Sequence, residues 1–186
     1  MKLNSRVSGF TLIEVLVALV IFLVSALGIA GLVVRTVQQE TESYQRVQAL
    51  MLLQDMTDRV NANRQVASCY SAGSTGITLG TGSASIAACG TGTATQRSQA
   101  DNDLLAWDLL LKGAAEKSGS NNLGAMIGAR GCIRQINAAN RIYRITVAWQ
   151  GLGNTVAPND TCGEDSYGDE AMRRTVSAVV RLGALS

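Results

Sequence analysis

The chain has no histidine among its 186 residues. That removes the commonest metal ligand and the usual general base, so Ser-His and Cys-His nucleophilic arrangements are excluded. No GxSxG, GxxxxGK[ST] or strand-linked GxGxxG pattern is present, and no two cysteines form a CxxC pair. No catalytic constellation, resident metal or cofactor is therefore expected, and the chain does not read as an enzyme. Aromatics make up 4% of the residues and net charge is +2. Basic residues are not clustered, which argues against a nucleic acid partner, since phosphate contacts require grouped Lys and Arg. There is a single proline, Pro158, so nothing breaks a helix anywhere from Phe10 to Arg64.

Charge is also absent from one long stretch. Between Val15 and Val34 the only polar side chain is Ser25. As a helix this run is roughly 30 Å long, the thickness of a bilayer's hydrocarbon core. Residues Met1 to Gly9 carry Lys2 and Arg6 and no acid, a pattern that holds this end in the cytoplasm and sends the C-terminal side across. A cleaved secretory signal also starts basic and turns apolar. Against it stand the length of the run, the lack of a small-x-small site before the polar chain after Arg35, and an acid, Glu14, at the start of the run. A carboxylate costs about 2.5–3.5 kcal/mol at mid-membrane on insertion scales, so Glu14 calls for a partner.

Gly9-Phe10-Thr11-Leu12-Ile13-Glu14-Val15-Leu16, with the apolar helix behind it, resembles the prepilin processing motif of type IV pilins and type II secretion pseudopilins. In that family a membrane peptidase cuts after the glycine and methylates the new N-terminal residue. Carried onto this chain, the resemblance implies cleavage between Gly9 and Phe10, N-methylation of Phe10, and Glu14 as the acid used in assembly. A proline common in the family, twenty-two residues into the mature chain, is replaced here by Gly31, one turn after Gly28. Glycine there either weakens the helix locally or lets neighbouring helices approach closely.

The resulting organisation is a leader at 1–9, a transmembrane and polymerisation half-helix at 10–35, and a periplasmic head at 36–186. Within the head, residues 36–65 continue the helix, to about 80 Å in all by its rise per residue. Val37, Tyr44, Val47, Leu50, Met51, Leu53, Met56 and Val60 recur at helical spacing and are expected to pack on the head. Residues 66–100, rich in Gly, Ser, Thr and Ala, read as a variable surface loop. Asp101-Asn102-Asp103 offers N-caps for a short helix at 101–117, from about Asn102 to Ala115, with Trp107 and its leucines in the core and a turn from Ser118 to Leu123.

The segment 124–186 reads as an antiparallel sheet of three strands, broken by an acidic loop at 151–172. The strands are 131–136, 141–150 and 173–182, the first two joined by a turn at Asn137–Asn140. Tyr143, Ile145, Val147 and Trp149 alternate with Arg144, Thr146 and Gln150; Val176, Ala178, Val180 and Leu182 alternate with Arg173, Thr175, Ser177 and Arg181. One face is thus buried and one solvated. The fold expected is α+β, a long helix on a small antiparallel sheet, which is also the pilin architecture.

All four cysteines follow the apolar run, so an oxidising compartment and two disulfides are expected. Of three possible pairings, Cys69–Cys89 and Cys132–Cys162 are favoured because each closes one glycine-rich loop. The acidic residues Asp160, Glu164, Asp165, Asp169 and Glu170 have oxygen ligands suited to calcium but lack EF-hand spacing. The resemblance implies a minor pilin: a structural subunit handled by prepilin peptidase, held in the bacterial inner membrane, and assembled with other minor and major pilins by the inner-membrane machinery into a surface pilus. A minor pseudopilin of type II secretion, and a pilus-borne module for adhesion or DNA capture, are the alternatives.

Overall fold

The computed structural model describes residues 9–83, 86–114, 117–119, 121–122 and 126–183. The leader at 1–8, Ala115 and part of the Ser118–Leu123 turn lie outside the described residues. The chain forms two compact units, Met1–Thr41 and Glu42–Ser186.

The first unit contains the start of helix α1, which spans Leu12–Ala62 without a break. Its apolar side chains from Leu12 to Val34 are exposed on every side. The Ser25 hydroxyl donates to the Ile21 carbonyl at 2.8 Å, and that of Thr36 to Leu32 at 3.0 Å, so these polar groups are satisfied inside the helix. The helix continues through Gly28 and Gly31, and a Cβ added at either position would meet nothing within 4 Å.

In the second unit, α1 buries Gln45, Ala49, Leu53, Met56 and Val60. This corrects the expected stripe. Leu53, Met56 and Val60 lie inside, but Val37, Tyr44, Val47, Leu50 and Met51 are exposed. Both sets of residues recur at three and four, so periodicity could not decide which faces the core. Contacts from elsewhere decide it. The Trp107 indole donates to the Leu52 carbonyl at 2.9 Å, and Arg59 pairs with Asp103 at 2.9 Å. Glu42 accepts from the Leu152 N–H at 2.9 Å and from Arg174 at 3.2 Å.

The expected helix at 101–117 lies instead at Ala94–Leu111 and is called α2. Its N-cap is Thr93, whose hydroxyl accepts from Gln96 N while the Gln96 side chain accepts from Thr93 N, a reciprocal capping box. Asp101, Asn102 and Asp103 therefore sit inside the helix. The segment read as a variable loop at 66–100 is also structured: a 3-10 turn at Arg64–Tyr70, strand β1 at Ile77–Gly80, and the first turns of α2.

After a small two-strand ladder, β2 (Lys117–Ser118) with β3 (Asn121–Asn122), come β4 (Ile127–Asn137), β5 (Ile142–Gln150) and β6 (Arg173–Arg181). The main sheet has four strands, in order β1-β4-β5-β6 and antiparallel throughout. Register sets Ile133 opposite Ile145 and Ile145 opposite Ala178 on the helix-facing side; Cys132, Thr146 and Ser177 line up on the other. Leu79, Ile133, Tyr143, Ile145, Val147, Trp149, Val176, Val180 and Leu182 form the core with Leu104, Trp107 and Leu111 of α2. Gly131 is required here, since a Cβ would collide with the Trp107 ring. The second face is not fully solvated as expected. Thr146 and Ala148 are buried, and Arg173, assigned outward from the alternation, is 2% exposed. The faces are as read, but residues 158–170 fold back over the outer one.

Candidate functional site

Phe10 is 85% exposed and follows directly on Gly9, where an added Cβ would touch nothing within 4 Å. Thr11 and Glu14 then close the start of α1 on each other. The Glu14 carboxylate accepts from the Thr11 N–H and hydroxyl, and Glu14 N donates back to the Thr11 hydroxyl, each at 3.4 Å. This is the Thr-x-x-Glu capping box, legible in the sequence but not recognised there. It gives Thr11 a role beside the acid: two orphan N–H groups of the helix start are engaged before any second chain is present. Phe10, Glu14, Val15, Ala18 and Leu19 line a shallow groove along this end of the helix. Helix α1 is long and apolar enough to cross a membrane.

The four cysteines are joined as Cys69–Cys89 and Cys132–Cys162, closing separations of 20 and 30 residues. The first staples the 3-10 turn to the approach to α2, where Cys89 N also donates to Asp101 at 2.9 Å. The second fixes the acidic loop to β4. Arg173 holds that loop from beneath, donating to the carbonyls of Pro158, Asp160 and Cys162 and pairing with Glu170 at 2.5 Å. Asp160 accepts from Cys162 N at 2.9 Å and from the hydroxyls of Thr146 and Ser177. Asp169 caps the short turn at Glu170–Met172 through Ala171 N. Glu170 also accepts from Asp165 N, and this bond with Arg173 beside it draws its carboxyl below the usual value. Three of the five acids considered for calcium thus serve the loop's own backbone and side chains. Among the described residues no group of three or more His, Cys, Asp or Glu is placed to hold a metal.

Two buried aspartates of α2 stand apart: Asp103, read from the sequence as an N-cap, and Asp108, which the sequence reading did not single out. Asp103, buried, accepts from the Tyr70 hydroxyl at 2.6 Å and from Arg59 and Gln99 at 2.9 Å each. Burial, reinforced by this carboxylate, pushes the Tyr70 hydroxyl well above its ordinary pKa. Asp108 accepts from Gly80 N at 2.8 Å, Ser83 at 2.9 Å and Lys112 at 2.6 Å. Burial alone would raise its pKa, but these bonds outweigh burial and leave it lowered. Charged residues in the middle of an otherwise leucine-rich helix were the available signal.

Comparison with protein families gives two adjoining matches. Residues 4–30 match the prokaryotic N-terminal methylation motif, and residues 31–105 match the family described as Type IV pilin Tt1218. No curated protein and no solved structure matches the chain. The long helix on a four-stranded antiparallel sheet is consistent with a type IV pilin fold. Residues 4–105 are thus covered, one match directly after the other, by the models of the N-terminal methylation motif and of a type IV pilin.

Proposed function

We propose that this chain is a minor pilin: it is cut between Gly9 and Phe10, methylated on Phe10, and assembled through α1 into a type IV pilus, in a tip complex that primes assembly and supports twitching motility. The observation that carries this reading is the state of α1. From Leu12 to Val34 its apolar side chains cover no part of their own chain. Such a surface demands another apolar environment, the bilayer before assembly and neighbouring helices after it. Within the family, the strand around Gly131-Cys132-Ile133, the strand Tyr143 to Trp149, and Cys162 ahead of Arg173-Arg174 resemble the pilus modification protein PilV. The partners on this reading are prepilin peptidase, the inner-membrane assembly machinery, and other minor and major pilins, with the head in the periplasm until export. Glu14 then pairs with the Phe10 amine freed by cleavage, on its own or an adjacent subunit, which offsets the cost of a carboxylate in lipid and sets axial register.

The test separates processing from assembly. Intact mass of Gly9→Val should show uncut chain, while Glu14→Ala should be cut normally yet be depleted from sheared pili by immunoblot. Deleting the gene should lower surface piliation and twitching with major-pilin synthesis intact. Normal incorporation of Glu14→Ala, or normal piliation of the deletion strain, would remove the assembly role.

A further inference from the structure

The main sheet has two edges, and they differ in how they end. β1 closes one with four residues. There Gly80 N donates to Asp108 at 2.8 Å, and the Gly80 carbonyl accepts from Ser83 N at 3.1 Å. β6 forms the other edge with nine residues, paired in unbroken register with β5. Bonds from Leu182 N to Arg141 O and from Gly151 N to Met172 O continue that ladder at its two ends. The even-numbered residues of β6 therefore bond inward to β5. The backbone groups of Thr175, Ser177, Val179 and Arg181 point the other way, and none has a partner among the described residues. Proline, lysine and bulges, which often blunt an edge, are missing from β6, whose charged residues are arginines at its two ends, and Val179 is 59% exposed.

We propose that this edge takes up an extended strand of a different polypeptide, one alternating acidic and apolar side chains. Charge identifies the acidic side. Arg134 of β4 lies opposite Arg144 of β5, which lies opposite Val179, with Arg181 two residues further along β6. All three arginines are exposed on the outer face, and none is in an ion pair among the described residues. On the helix-facing side Val176, Ala178 and Val180 bring the core to the rim, where apolar side chains of an added strand would continue it. A second copy of this chain fits poorly. Its own β6 carries arginine and no acid, so pairing β6 with β6 would bring cation towards cation. The assignment to another subunit rests on the proposed function.

Full-length protein in detergent micelles is titrated against a labelled peptide of alternating valine and glutamate, nine residues long like β6, with anisotropy as the readout. Saturable binding is expected, with none for a valine–lysine peptide. Val179→Pro removes an N–H that β5 does not use and should weaken binding about tenfold, as should Arg181→Glu. Arg144→Glu leaves the β6 backbone untouched and should also weaken it, which covers the case where the proline variant unfolds. Amide exchange gives the fingerprint: the peptide should slow exchange at Thr175, Ser177, Val179 and Arg181 and leave Val176, Ala178 and Val180 as they were. Absent binding, equal binding of the lysine peptide, or protection outside the odd-numbered amides of β6 would overturn the proposal. Incorporation of Glu14→Ala into pili reads the helix alone, so failure here leaves that result standing.

Discussion

Asp103 is a residue whose type is readable and whose place is not. In sequence it stands in an Asp-Asn-Asp triplet before leucines, which is how an N-cap looks. In the structure it joins three elements, because Tyr70 comes from the 3-10 turn, Arg59 from α1 and Gln99 from α2. Local pattern cannot report a bond spanning 44 residues. The consequence is measurable. Asp103→Ala leaves the buried Tyr70 hydroxyl without its acceptor and Arg59 with Asp55 alone, and should lower stability by about 2–3 kcal/mol in denaturant unfolding. Tyr70→Phe removes one bond only and should cost about 1 kcal/mol. Equal losses in the two variants would contradict the hub. The capping pair Thr11 and Glu14 was legible in full by the same kind of rule, since both members lie within one turn.

Among the elements, those with long alternation or long apolar runs could be read directly. β5 and β6 were placed to within a residue or two, because nine-residue strands carry four or five alternations each. β1 has four residues in a Gly-Thr-rich stretch, too short for its period to stand out, and its pairing with β4 is what makes it a strand. The two cysteine pairs joined in the structure are those that each close one glycine-rich loop. What the sequence could not carry was the loop folding back, since burial of Arg173 depends on carbonyls 11 to 15 residues away. Asp108 is the corresponding link between α2 and β1. Its folded pKa lies below the ordinary 3.8, so its contribution is complete above that value and is lost as pH falls through the lower folded value. Thermal unfolding followed downward through this range should show stability falling with acid, and Asp108→Asn should flatten the fall. A slope unchanged by the substitution would place the acid sensitivity elsewhere.

At the scale of the whole molecule, α1 has two apolar stripes where the sequence suggested one. Gln45, Ala49, Leu53, Met56 and Val60 are buried in the head, and Val47, Leu50 and Met51 are exposed. Exposed apolar side chains are ordinary when scattered, but a row at helical spacing is what a helix presents to another helix. On the proposed function, that row packs against neighbouring subunits after α1 leaves the bilayer, each side chain contributing roughly 1.5–3 kcal/mol if fully covered. Val47→Lys and Met51→Lys probe it without touching the core. Both positions are exposed, so each variant should unfold within about 0.5 kcal/mol of the wild type. Membrane insertion and cleavage should be normal, since neither residue lies between Gly9 and Val34. Incorporation into sheared pili should drop in both, and further in the double variant, because a lysine in a helix–helix contact must be desolvated or pushed aside. If all three variants enter pili like wild type, the stripe is solvent-facing in the fibre, and assembly rests on the residues before Val37 alone.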